Sequence, residues 1–121
     1  MKSRGSHRQE RVATLIQQIL GETLTRGIKD PRVGFVTVTS VSVSPDLSHA
    51  IARVSVLGDD QKKADALTGL KHASGYLRSI VAQSTDLRTT PELHFVIDHG
   101  LEHARRIDEL LSQIKQEESE S

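Results

Sequence analysis

The chain has 121 residues, with 16 basic and 16 acidic side chains, six histidines and no cysteine. That length supports one domain around one core. The missing cysteines exclude disulfides, thiolate catalysis and cysteine-rich zinc sites. No apolar run is long enough to span a membrane and no signal-like apolar segment follows Met1, so a cytoplasmic location is expected. Aromatic residues are limited to Phe35, Tyr76 and Phe95, so the core must be aliphatic. The scarcity of rings also argues against recognition of RNA by a row of stacking aromatics. Although the net charge is zero, residues 1–35 carry seven basic and three acidic groups, and residues 105–121 carry three basic and five acidic ones. A neutral chain with one basic end can still present a phosphate-binding face.

Residues 1–7 lack apolar periodicity and read as a flexible basic N-terminus. A first helix is expected from Arg8 to Arg26, with Val12, Leu15, Ile16, Ile19, Leu20 and Leu24 on one face and Gly27 as its stop. Pro31 and Asp30 make residues 28–34 a turning connector, and the preferred roles of Asp30, Pro31 and Gly34 are geometric. Strand one should run from Phe35 to Ser44. The parity of its valines shifts between Val38 and Val41, which indicates a bulge or a change of face. A turn at residues 44–48 leads to strand two, from His49 to Leu57. Asp59 or Asp60 should cap the next helix, which uses Ala64, Leu67, Leu70 and Ala73.

The segment Lys71-His72-Ala73-Ser74-Gly75-Tyr76-Leu77-Arg78 places two small residues and a glycine inside a helical pattern flanked by cations. Glycine there costs about 1 kcal/mol relative to alanine, so a break is expected, with a further helix through Tyr76, Leu77, Ile80 and Val81. Such a joint suits close approach of a large anion. Strand three is expected over Glu92 to Asp98, with Leu93, Phe95 and Ile97 on one face, followed by a helix carrying Leu101, Ala104, Ile107, Leu110, Leu111 and Ile114. The domain then spans residues 8–114, ahead of a disordered acidic tail over 115–121. The order α-β-β-α-kink-α-β plus a C-terminal helix defines an α+β fold, a three-stranded sheet with helices packed on one face. Because a long helical excursion separates strands two and three, strand three can lie parallel to one of the others.

Lys71 and Arg78 are seven residues apart and share a helix face, so each can reach a phosphate on a neighbouring stretch of backbone. His72 flanks the same joint. Arg4, Arg8 and Arg11 form the basic N-terminal set, with Arg8 and Arg11 one turn apart, and Arg88 is a further cation before strand three. The run His99-Gly100-Leu101-Glu102-His103 matches H-x-x-E-H. Only eighteen residues follow it, too few for a third ligand and a substrate cleft, so metal catalysis is set aside. His94 reads as a surface side chain. No phosphate-loop or dinucleotide motif occurs, and no metal or cofactor is expected.

The order of elements is similar to the type II KH fold, whose members clamp nucleotides with a GXXG loop. Ala73-Ser74-Gly75 stands at that joint without a GXXG. Six segments in register, namely Ser6-x-Arg8-x-x-Arg11-Val12, Lys29-Asp30-Pro31-Arg32-Val33-Gly34 with Val36-Thr37-Val38, Val43-Ser44-x-Asp46-Leu47, Gly75-Tyr76-Leu77-Arg78, Pro91-Glu92-Leu93-x-Phe95-x-x-Asp98 and Arg106-Ile107-Asp108, resemble the bacterial ribosome-binding factor A family. The resemblance covers about residues 6–112 and implies a KH-like domain with an Ala-x-Gly kink. It implies a non-enzymatic assembly factor that binds the free 30S subunit and 16S rRNA near the 5′-terminal helix during late maturation and rRNA processing, and that supports growth in the cold. Taken with the charge and spacing read above, the expected RNA contacts are Arg4, Arg8, Arg11, Lys71, His72, Ala73, Ser74, Gly75, Arg78 and Arg88. Small-subunit assembly GTPases are expected as further partners, and the chain is expected to be monomeric. A free-standing KH-like regulator of other transcripts is the alternative reading.

Overall fold

In this computed structural model the described residues are 4–99 and 102–120, with side chains described over 7–99 and 109–118. The order is α1 (Arg4–Arg26), β1 (Val36–Val43), β2 (His49–Val56), α2 (Asp60–Ser84), β3 (Glu92–Ile97) and α3 (Glu102–Glu120). The sheet order is β1-β2-β3, with β2 antiparallel to β1 and parallel to β3. The parallel third strand matches the expectation.

Helix α1 begins at Arg4, ahead of the Arg8 boundary read from the sequence. Its buried stripe is Val12, Ile16, Ile19 and Leu20, while Leu15 keeps 37% of its surface exposed at the stripe's edge. Gly27 ends the helix with φ +96°, and its N–H donates to the Leu24 carbonyl at 3.1 Å. That left-handed geometry favours glycine. The bulge in β1 lies where the valine parity shifts: Val38 pairs with Val54 but Ser40 with Arg53, leaving Thr39 as the extra residue. A bulge leaves an unpaired backbone group. Here the Gln17 side-chain amide, on α1, donates to the Thr39 carbonyl at 3.3 Å.

Asp46 organises the β1–β2 turn. Its Oδ1 accepts from the Ser44 hydroxyl at 2.8 Å, the Ser48 hydroxyl at 2.7 Å and the Ser48 N–H at 3.2 Å. Leu47 takes φ +62°. Asp59 is the residue that caps α2, accepting from Lys62 N–H at 2.9 Å.

Two findings revise the expected arrangement. First, α2 is one continuous helix of 25 residues through Ala73-Ser74-Gly75. No second helix starts at the glycine. Leu70, Leu77 and Val81 bury one unbroken stripe against the core, and that burial outweighs the roughly 1 kcal/mol helical penalty of Gly75. Second, the helices do not all share one sheet face. Helices α1 and α2 cover the face bearing Ala50, Ala52, Val54, Leu93 and Ile97. Leu110 and Leu111 of α3 pack instead with Ile51 and Val96. These point the opposite way because side chains alternate along a strand. Helix α3 also extends to Glu120, through most of the segment expected to be a tail.

The connector between α1 and β1 is pressed onto α2. Asp30 holds Arg32 by three contacts: to the backbone N–H at 3.0 Å, Nε at 2.9 Å and Nη2 at 2.6 Å. Val33, which is buried, then packs over Gly69. A Cβ on Gly69 would sit 2.8 Å from Val33 Cγ2 and 3.3 Å from Arg32 Cβ.

Candidate nucleic-acid interface

Lys71, His72, Ala73, Ser74, Gly75 and Arg78 all lie on α2, but the helix turns them onto different surfaces. Lys71 and Ser74 line a cleft of about 410 Å³ between α2 and β3. His72 and Ala73 line a second groove of about 520 Å³, whose opposite wall is the connector Gly27-Ile28-Lys29-Asp30. Gly75 is exposed, and a Cβ there would meet nothing within 4 Å. Its missing side chain therefore serves no packing within the chain and leaves low relief on an outward surface. A ligand's backbone could lie closer there than a Cβ would allow.

Arg78 is placed differently from the expectation. Its Nε and Nη2 donate to the Thr90 carbonyl at 3.2 and 2.7 Å. The guanidinium thus anchors the loop that feeds β3, and it is not a partner of Lys71 presented wholly to solvent. Arg88 is exposed in the same loop. Arg8 and Arg11 are exposed on α1, where Arg11 lines a shallow groove with Glu10, Thr14 and Gln18. Neither joins the two α2 grooves. The side chain of Arg4 lies outside the described residues.

Two residues beyond the expected set complete the connector groove. Tyr76, expected in the apolar stripe, is 58% exposed and lines the groove beside His72. The buried stripe Leu70–Leu77–Val81 already signalled this, since Tyr76 sits about 100° round the helix from Leu77. Lys29 supplies the cation on the facing wall. Asp30 sits on that wall too, but its carboxylate is held by Arg32 and kept at about 2, well below the usual range, chiefly by the Arg32 side-chain hydrogen bonds. The groove therefore combines an aromatic ring, a lysine, a histidine and a carboxylate already neutralised by its neighbour. That combination suits an anion bearing a flat ring.

A separate cluster lies on the sheet face that α3 covers. His49, Glu92 and His94 bring one donor atom each within 4.8 Å of one another. His94 is half-buried rather than a surface side chain, and burial lowers its pKa. His99 is exposed, and the His103 side chain lies outside the described residues.

A KH-like α+β domain, three helices on a three-stranded mixed sheet with one continuous glycine-bearing helix flanked by basic residues, is the class this fold defines. The chain belongs to the ribosome-binding factor A family, whose family model matches residues 8–111. A ribosome-binding factor A from Desulfitobacterium hafniense is 46% identical over 112 residues, covering 93% of this chain and 90% of the relative. The crystal structure of ribosome-binding factor A from Thermus thermophilus superposes with a TM-score of 0.64 at 25% identity, covering 74% of this chain and 94% of that one. A second Thermus thermophilus structure, a homology model fitted into a cryo-EM map of a complex with the 30S particle, gives 0.59 at 26% identity, with 69% and 88% covered. No helix among the described residues is long and apolar enough to cross a membrane.

Proposed function

We propose that this chain is a ribosome assembly factor that binds the free 30S subunit and 16S rRNA near the 5′-terminal helix during late maturation. The observation that carries this reading is family membership over residues 8–111, together with the likeness to a structure fitted into a 30S complex. The α2 surface supports it. Lys71 and Gly75 face outward, and the Lys29–His72–Tyr76 groove lies beside them. In this reading the outward turns of α2 recognise folded rRNA by shape and phosphate position, and Arg8, Arg11 and Arg88 add peripheral phosphate contacts. The chain acts by binding and not by catalysis, it works in the cytoplasm as a monomer, and small-subunit assembly GTPases are further partners. A requirement for growth in the cold follows, since misfolded RNA helices are harder to escape at low temperature.

Sedimentation of cell lysate through a sucrose gradient tests the reading. The chain should co-migrate with free 30S subunits and be scarce on 70S ribosomes and polysomes. Co-migration chiefly with messenger or polysome fractions would instead support the free-standing regulator of other transcripts.

A further inference from the structure

The parallel register of β2 and β3 sets His49 opposite Glu92, and His94 stands two residues further along β3. Side chains two apart on a strand share a face. All three therefore project from one end of the sheet on the side that α3 covers. His49 is 1% exposed, and its Nδ1 stands 3.1 Å from His94 Nε2 and 3.8 Å from Glu92 Oε2. In tetrahedral zinc coordination, with Zn–N bonds of about 2.0–2.1 Å, two ligating nitrogens lie about 3.3 Å apart. The imidazole pair is thus already spaced as one edge of that tetrahedron, and a small rotation of the exposed Glu92 side chain would bring the third ligand in.

The surroundings fit as well. Two imidazoles and one carboxylate form a donor set that zinc accepts, with a fourth position left for water. Glu118 Oε1 of α3 lies 2.7 Å from His49 Nε2, the ring nitrogen pointing away from the cluster. The contact is close but off the N–H direction, so that buried nitrogen lacks an aligned hydrogen bond. Metal-bound imidazoles ordinarily donate the far N–H to a carboxylate, and Glu118 is near enough to accept that hydrogen bond after a small reorientation of its side chain. Glu92 and His94 also line the cleft between α2 and β3, which provides an entry path.

We propose that His49 Nδ1, His94 Nε2 and a Glu92 carboxylate oxygen form a binding site for one zinc ion, joining β2 to β3 beneath α3. The site is independent of the RNA-binding reading. Its three ligands come from β2 and β3 alone, and although Lys71 and Ser74 line the same cleft, neither is needed to hold the ion.

The test is titration of the full-length chain, stripped with chelator, with Zn²⁺ and with Mg²⁺, followed by calorimetry and thermal melting. Binding of one zinc per chain is expected, with a rise in Tm that Mg²⁺ does not produce. His94→Ala and Glu92→Gln should each weaken zinc binding by roughly tenfold or more, and His99→Ala should not. Because His49 is buried and its replacement can disrupt folding, the His94 and Glu92 variants carry the test. Absence of zinc-dependent stabilisation would overturn the proposal and leave the two histidines as a plain N–H···N pair. Zinc binding that survives both variants would place the metal elsewhere and overturn it equally.

Discussion

Gly69 and Val33 are in a contact that only glycine permits. A Cβ at position 69 would stand 2.8 Å from Val33 Cγ2, with Arg32 and Asp30 close behind. This contact seats the connector on α2 and so forms the groove that Lys29, His72 and Tyr76 share. Gly75, in contrast, meets nothing within the chain. The two glycines should therefore respond oppositely to substitution. Gly69→Val should destabilise the fold by about 2 kcal/mol through overpacking. Gly75→Ala should stabilise it by up to about 1 kcal/mol through helix propensity. Chemical denaturation of the two variants checks both signs. If Gly75 serves close approach to RNA, Gly75→Ala should also weaken 30S binding despite the gain in stability.

Lys71 and Arg78 should separate in the same way. Lys71→Ala should leave stability within about 0.5 kcal/mol of the parent, as surface substitutions usually do. It should also reduce the slope of log affinity against log salt for 30S binding by about one. Arg78→Ala should cost about 1 kcal/mol of stability, because the Thr90 carbonyl loses both of its guanidinium donors. Denaturation and salt-dependent binding, measured on both variants, decide the assignment. A stability loss confined to Lys71→Ala would reverse it.

Tyr76 is 58% exposed and bounds the connector groove. Its replacement by alanine should alter stability by less than about 0.5 kcal/mol. The same change should weaken 30S binding by about 1–3 kcal/mol if the ring stacks on a base. Tyr76→Phe should retain that affinity. Equal binding by all three chains would remove the ring from the interface.

Stability should fall in acid through two turn carboxylates. Asp46 is held at about 2, below its ordinary 3.8, by the hydroxyls of Ser48 and then Ser44, and Asp30 is held at about 2 by Arg32. A depressed folded-state value means that the native protein binds fewer protons than the unfolded chain. The stabilisation is therefore present above about pH 4 and disappears as pH falls towards about 2. Asp46→Asn should flatten the dependence of Tm on pH across that window and leave the dependence above pH 5 unchanged. Melting curves from about pH 2 to 6 read the difference.

Much of this architecture is local and was legible in the residues. Gly27 stops α1, an Asp caps α2, and the parity of Val38 and Val41 marks the bulge, because helix ends and strand faces are set by neighbours in the chain. The overall α+β order and the family resemblance were readable for the same reason. Other features needed contacts between distant segments. The pattern around Ala73-Ser74-Gly75 suggests a break by local propensity, yet burial of Leu70, Leu77 and Val81 keeps α2 whole. The pairing of Arg78 with Thr90 and the seating of Val33 on Gly69 join residues that no periodicity links.

The histidines show the division most plainly. Spacing drew attention to His99 and His103, which are close in sequence, whereas His49 and His94 are 45 residues apart and meet through the parallel β2–β3 register. The sequence by itself determined the strands, the order of the elements, the stop of α1, the cap region of α2 and the family, but not the unbroken length of α2 or the full extent of α1 and α3. Which charges and rings converge was decided only by the tertiary structure, because strand register and helix packing are chosen by burial of the whole aliphatic core and not by any local run of residues.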